Sequence, residues 1–350
     1  MERTSQITLG IGSVLNILMI SPDAPPYKGG VSRLVGLLKN GLENSGHQVT
    51  LIHPKFKIKE FKFSSIPFRR YNNNYDLIHL HGPTPFLSDL TLLTHCKPPI
   101  VYTHHAEVCW ISKGISNLYT QFHRFLAKKA QAIIVHSHDY KSLFNGTNVT
   151  VIHMPCSFRC PKKSNAEQKS NPFTVLFVGQ FRPFKGIDLL LKAASMLLDV
   201  NFVLVGDGYL KPKFMRMAEG LANVKFLGKV SDDALEKLYK QAHVVCLPSV
   251  NTTEAYGLTL IEGALYGCVP VASNLMGVRE NVMQLQGCLF TPGSHHSLAR
   301  KIRTLSSKKK SWLNLASRSK KAAHDYVNMY PVEYYVKRHE EIFASICSQE

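Results

Sequence analysis

No two of the eight cysteines form a C-x-x-C pair, and no apolar run is long enough to span a bilayer. The first absence speaks against a zinc site, and at 350 residues a disulfide-stapled scaffold is not expected. The N-terminal runs Ile7–Leu9 and Val14–Ile20 are short and interrupted by Ser13 and Asn16, and no small-residue cleavage site follows. The expectation is therefore a cytosolic protein, in which Asn145-Gly-Thr, Asn148-Val-Thr and Asn251-Thr-Thr carry no glycan. Acidic residues are also scarce: 24 Asp and Glu stand against 42 Lys and Arg, a formal charge of +18. That imbalance favours anionic company, whether nucleotides, nucleic acid or an acidic membrane face, and is otherwise explained by solubility. There is no short-period repeat. Hydrophobic residues make up 45% and charged residues 19%, which excludes a disordered or collagen-like chain, and the length suits two or three domains.

Short apolar runs alternate with helical patterns. In the first half the strand candidates are Ile17–Ile20, Val49–Ile52, Leu77–Leu80, Ile100–Thr103 and Ala132–Val135, with a helix over Val31–Leu42. The polar stretch Arg159–Asn171 reads as a linker, after which the alternation restarts with strands at Thr174–Val178, Asn201–Val205, Val224–Leu227, Val244–Leu247 and Val269–Ala272 and a helix at Ile187–Leu198. Such runs separated by helices imply βαβ units and parallel sheets buried on both faces. The expected architecture is α/β, with two Rossmann-like domains at residues 1–165 and 166–330. A tail over 331–350 forms an amphipathic helix after Pro331 and packs back on the first domain. Cys246 and Cys268 lie in apolar runs and read as core residues.

The strongest local signal is Glu254-Ala-Tyr-Gly-Leu-Thr-Leu-Ile-Glu262, which follows the strand ending at Leu247-Pro-Ser249. A helix opening near Gly257 offers backbone N–H groups and a dipole to an anion. Were the residues between the two glutamates helical, at about 1.5 Å each, they would stand roughly 12 Å apart, a span suited to a nucleotide diphosphate sugar. A pair of ordinary helix carboxylates is the alternative.

With its surroundings, this segment resembles the retaining glycosyltransferases of family 4, which adopt the GT-B arrangement of two facing Rossmann-like domains. Glu254 and Glu262 match the family's E-x7-E motif. Phe177-Val-Gly-Gln-Phe-Arg-Pro-Phe-Lys-Gly186, Val205-Gly-Asp-Gly208, Val224-Lys-Phe-Leu-Gly-Lys-Val230, Gly267-Cys-Val-Pro-Val-Ala-Ser273 and Gly277-Val-Arg-Glu280 follow the family's order. The resemblance implies that the pyrophosphate sits on Tyr256, Gly257 and Leu258, with the sugar near Glu254 and the ribose near Glu262. Gly179, Gly206, Gly208, Gly228, Lys229 and Val230 would shape the donor pocket. Arg182 and Lys185 would neutralise the departing diphosphate, Arg182 standing in for the arginine that the family carries where this chain has Gln180. Where the first domain ends, His153-Met-Pro-Cys156 replaces the usual Asn-Gly turn.

Gly29 and Gly30 resemble the glycine loop near the acceptor, and His105 rather than His104 matches a histidine that contacts donor or acceptor hydroxyls. No D-x-D tripeptide occurs, and Asp232-Asp233 read as a helix start after Ser231. The resemblance therefore implies a metal-independent enzyme without a cofactor, taking a nucleotide diphosphate sugar and a sugar or lipid-linked acceptor. A nucleic-acid-binding protein is the reading from another class, and no helix-turn-helix, zinc-finger or aromatic RNA-binding signature supports it. A nucleotide-sugar epimerase is the rival among enzymes. Residues 1–165 carry 19 Lys and Arg against 8 Asp and Glu. Lys55, Lys57, Lys59, Lys62, Arg69 and Arg70 form the densest cluster, either an edge strand guarded by lysines or a contact with an anionic membrane.

Overall fold

The computed structural model describes residues 14–348 apart from 27–28, 55, 59–60, 64–73, 95–96, 110–112, 145–147, 162–168 and 170. Two parallel six-stranded sheets dominate it. The first has the order β2-β1-β5-β6-β7-β8, built from β1 (Asn16–Ile20), β2 (Gln48–Ile52), β5 (Leu77–Gly82), β6 (Ile100–His104), β7 (Ala132–Val135) and β8 (Val149–Val151). The second has the order β11-β10-β9-β12-β13-β14, built from β9 (Thr174–Val178), β10 (Asn201–Val205), β11 (Val224–Gly228), β12 (Val244–Leu247), β13 (Val269–Ser273) and β14 (Cys288–Phe290). The central strands are largely apolar because helices cover both faces: β5, β6, β7, β12 and β13 are buried at every position, the histidines and Thr103 of β5 and β6 included. In each sheet the strand order reverses beside its first strand, which opens a crevice at the carboxyl ends where α/β proteins bind ligands.

The basic stretch around Lys57 is not an edge of either sheet. It forms a separate antiparallel hairpin, β3 (Phe56–Ile58) with β4 (Phe61–Phe63), in register Lys57 opposite Lys62. Lys55, Lys59, Arg69 and Arg70 lie outside the described residues.

Helices α1 (Gly30–Asn44), α2 (Leu87–Thr94), α3 (Lys113–Ala127) and α4 (His138–Lys141) belong to the first half of the chain. Helices α5 (Ile187–Ser195), α6 (Lys211–Met217), α7 (Asp232–Gln241), α8 (Leu258–Leu265), α9 (Val278–Gln284), α10 (His295–Ser307) and α11 (Lys309–Met329) belong to the second. Helix α7 starts where its sequence predicts, with the Ser231 hydroxyl accepting from Ala234 N–H at 3.3 Å and Asp232 and Asp233 in the first turn.

The last helix, α12 (Val332–Cys347), returns to α1, and the approach is close: a Cβ on Gly41 would stand 2.2 Å from Val336 Cγ2. The chain thus passes between the sheets twice, after β8 and after α11. The Tyr326 hydroxyl ties the two passages together by donating to the Met154 carbonyl at 2.7 Å. One apolar cluster runs through both halves, from Ile17, Leu38 and Phe343 by way of Met154, Tyr256 and Tyr326 to Leu247, Ile261 and Val282. Each aliphatic side chain it fully buries contributes roughly 1.5–3 kcal/mol. Separate clusters fill the outer faces, one under α5, α10 and α11 and one under α2 and α3. Cys246 and Cys268 are core residues, as their apolar context predicts.

Candidate active site

The carboxyl ends of the two sheets face each other across a cleft. Asp139, in α4, clasps the far side: its carboxylate accepts from Gly277 N–H at 2.9 Å and from Arg279 Nε and Nη2 at 2.9 and 2.6 Å. Burial alone would raise this carboxyl, but the guanidinium and the Gly277 N–H outweigh it and hold it below the usual range. Glu280 completes the clasp by accepting from His138 Nδ1 at 2.8 Å and Asp139 N–H at 3.2 Å. The Tyr140 hydroxyl donates to the Thr252 carbonyl at 3.1 Å. The motif Gly277-Val-Arg-Glu280 therefore joins the two halves. His138, His153 and Glu280 bring one ligand atom each within 4.8 Å of one another, the one such group that could hold a metal among the described residues. The glutamate is already engaged by its two hydrogen bonds.

On the second sheet the loops after β9, β10 and β11 are stapled edge to edge. Gly179 N–H donates to the Val205 carbonyl at 3.0 Å, and Gly206 N–H donates to the Gly228 carbonyl at 2.8 Å. Gly206 has φ +134°, and a Cβ there would stand 1.8 Å from the Gly179 carbonyl oxygen, so only glycine allows the two loops to meet. Gly208 lies beside Phe181, Lys229 is exposed and Val230 packs against the shared core.

The loop after β9 ends in a short 3₁₀ turn, Pro183–Lys185, which brings Lys185 to Glu254. Their ion pair is mostly buried, with 16% and 11% of the side chains exposed, and Ser249 Oγ donates to the same carboxylate oxygen at 3.2 Å. Val250 N–H, donating to the Phe184 carbonyl at 2.8 Å, holds the loop after β12 against this turn. Arg182 donates through Nε to Gln180 Oε1 at 2.8 Å.

The expected helix start is present, with a change of spacing. Helix α8 begins at Leu258 behind Gly257, whose φ of +78° suits glycine, while 254–257 are not helical. Helical rise therefore accounts for only half of the interval from Glu254 to Glu262, and the 12 Å figure does not describe it. The Tyr256 side chain points into the core, where its hydroxyl accepts from Met154 N–H at 3.1 Å and meets Tyr326, so only its backbone could face an anion.

Glu262 lies beneath α1. It accepts from the Tyr239 hydroxyl at 2.9 Å and lies 3.5 Å from Arg33 Nη1, which reaches it from the other half of the chain. Burial raises its carboxyl above the usual range, against the opposing pull of Tyr239 and Arg33. Gly29 caps α1 and Gly30 opens it, and a Cβ on either would meet nothing within 4 Å. Packing within the chain does not demand glycine there.

The first sheet contributes histidines. His104 ends β6 and lies 3.3 Å from Glu107, while His105 begins the next loop, with its Nε2 2.9 Å from His81 Nδ1 and the two rings stacked. One ring nitrogen must donate and the other accept, so at least the accepting ring is neutral. Burial first, then neighbouring imidazoles, holds His79, His81 and His105 well below the usual histidine range. Burial takes His136 down to about 4 and His339 to about 3. Nδ1 of His105 and Nε2 of His81 and His136 are buried without a hydrogen-bond partner.

Reading the sequence residue by residue passed over Arg33, Tyr239, Asp139 and the other histidines. The histidines did leave a signal, because β5, β6, β7 and β8 each have one at or just beyond their carboxyl end: His81, His104, His136 and His153.

The family model for Glycosyl transferases group 1 matches residues 161–324, and that for Glycosyltransferase Family 4 matches 63–155. The O-antigen chain mannosyltransferase C of Escherichia coli is 29% identical over 74% of this chain and 74% of its own. The D-rhamnosyltransferase WbpZ of Pseudomonas aeruginosa is 28% identical over 69% of this chain and 67% of its own. Among solved structures, a glycosyltransferase from Rickettsia africae superposes with a TM-score of 0.70 at 20% identity, covering 97% of this chain and all of its own. Anabaena Alr3699/HepE, solved in complex with UDP, superposes with a TM-score of 0.67 at 19% identity, covering 94% of this chain and all of its own. With two Rossmann-like halves in the GT-B arrangement and both halves matched, the chain belongs to the group 1 glycosyltransferases.

Proposed function

We propose that this glycosyltransferase moves a sugar from a nucleotide diphosphate sugar to the hydroxyl of a sugar or lipid-linked acceptor, with the anomeric configuration retained. The work assigned to it is the assembly of cell-envelope polysaccharide or glycolipid on the cytosolic face of a membrane. The observation that carries this reading is the buried Lys185–Glu254 pair, which lies just ahead of the α8 helix start. The names of the O-antigen and rhamnosyl relatives, and the UDP bound by a structural neighbour, support the same reading.

In this mechanism the α8 N-terminus and Lys185 hold the diphosphate, with Arg182 at the rim, and Glu254 holds the sugar. The acceptor oxygen attacks the anomeric carbon on the face that the diphosphate leaves. The carbon–oxygen bond to phosphate breaks, and the acceptor proton passes to the departing phosphate oxygen. No enzyme nucleophile is needed, and the protein contributes position and preorganised charge. His105 meets the reacting sugar's hydroxyls as a neutral imidazole.

The test is nucleoside diphosphate release from a panel of UDP- and GDP-linked sugars in the presence of acceptor, with the product anomer read by NMR. Release from at least one donor with retained configuration is expected, and inversion would overturn the mechanism. Activity is expected to persist in excess chelator, because Lys185 and the helix start take the place of a divalent ion. Complete loss, restored by manganese or magnesium, would remove the metal-free reading.

A further inference from the structure

Three side chains that the transfer reaction leaves unused meet at the clasp between the two halves. His138 lies in α4, His153 follows β8, and Glu280 comes from α9 in the second half of the chain. His138 Nδ1 donates to Glu280 Oε1 at 2.8 Å, and the two imidazoles stand 5.9 Å apart between ring centroids. With one ligand atom from each residue within 4.8 Å of the others, this is the one such convergence among the described residues.

Two of the three are fixed by their surroundings. Glu280 Oε2 accepts from Asp139 N–H at 3.2 Å, while Oε1 meets His138. His153 is only 8% exposed; its ring lies 4.4 Å from that of Tyr330 between centroids, and its Nδ1 is 3.4 Å from the Tyr256 hydroxyl. Supports of this kind orient the ligands of a metal ion. The His138 side chain is 70% exposed, so an ion can reach the site from solvent and the ring can turn to receive it. His153 also opens the segment that stands in place of the family's Asn-Gly turn, a departure for which the donor reading has no use.

The donor set selects the ion. Two imidazole nitrogens and one carboxylate oxygen suit zinc and similar transition metals, whereas magnesium and calcium require oxygens. Ligands at about 2.0–2.2 Å from a tetrahedral zinc stand roughly 3.4 Å apart, so a rotation of His138 completes the set. Its hydrogen bond to Glu280 does not bar the ion. The metal takes the place of the proton between Nδ1 and Oε1, the ring carries its proton on Nε2 instead, and Oε2 keeps the Asp139 N–H. Water takes the fourth position.

We infer that His138, His153 and Glu280 form a zinc-type site that ties the first half of the chain to the second at the clasp. It goes beyond the proposed function, because none of the three residues is assigned to donor or acceptor and the ion is no part of sugar transfer. An ion there reinforces the Asp139–Arg279 contact across the same gap.

The test is calorimetric titration of the metal-stripped full chain with zinc and, in parallel, with magnesium. One zinc per chain is expected to bind far more tightly than magnesium. H138Q, from the first half, and E280Q, from the second, are each expected to weaken zinc at least tenfold at unchanged circular dichroism, whereas H295Q/H296Q, which removes another histidine pair, should keep the affinity. Cobalt in place of zinc should show d–d absorption without the thiolate charge-transfer band of a cysteine site such as Cys160 beside His324. Zinc bound no more tightly than magnesium, affinity unchanged in H138Q or E280Q, tight binding lost in H295Q/H296Q, or a thiolate band would each overturn the proposal. No readout requires turnover, so failure of this site and failure of the proposed reaction are told apart.

Discussion

Replacing Lys185 with alanine is expected to lower turnover by about 10²–10³, the loss of roughly 2.7–4 kcal/mol typical when a preorganised group facing transition-state charge is removed. Glu254→Ala is expected to fall in the same range. Because the two side chains form one mostly buried pair, removing both should cost far less than the product of the single losses. Glu262 is distinguishable from both. It sits between Tyr239 and Arg33 in the position assigned to ribose, so Glu262→Ala should also weaken binding of the free nucleotide, whereas Glu254→Ala should not. Steady-state kinetics with nucleotide calorimetry separate these outcomes. Turnover within threefold of wild type for both Lys185→Ala and Glu254→Ala would remove the pair from the mechanism.

Stability is expected to fall steeply when the pH drops from 7 to 5.5. His79, His81, His105, His136 and His339 are all held neutral by burial, with His136 at about 4 and His339 at about 3. In the unfolded chain each titrates near 6.5. Below that pH the unfolded state binds protons that the native state refuses, so the contribution is complete above 6.5 and is lost as the pH falls toward the native values. Each histidine costs about 1.4 kcal/mol per pH unit in this window, and five cost about 7 kcal/mol by pH 5.5. That is comparable with the whole stability of an ordinary domain, about 5–15 kcal/mol. Urea unfolding across a pH series measures the effect, and His339→Gln should lower the slope by one proton. A flat profile from pH 7 to 5.5 would contradict neutral burial.

Most of the central strands were legible because a strand buried on both faces is written as a largely apolar run, as in Ala132–Val135 or Val244–Leu247. The edge strands β8 and β14 were not, since three residues with half-exposed faces carry no period. The hairpin at Lys57 has the strand alternation its sequence shows, but alternation does not say which strand is the partner. Glu254, Glu262 and Lys185 stand out through resemblance, whereas the contact of Lys185 with Glu254 does not, because that ion pair joins residues 69 apart. The clasp of Asp139 on Arg279 spans 140 positions and left no local trace. Arg33 reads as an ordinary polar residue on an amphipathic helix until the second half of the chain supplies Glu262.

The two passages of the chain between the sheets decide how the cleft can work. Two separate tethers would resist twist independently, but here the Tyr326–Met154 hydrogen bond draws them into one joint beside the Tyr256 ring. Any opening of the cleft would turn about this joint and would also have to part Asp139 from Arg279 on the far side and Arg33 from Glu262 beneath α1. The crossing points thus set the lateral alignment of the two halves through the chain itself.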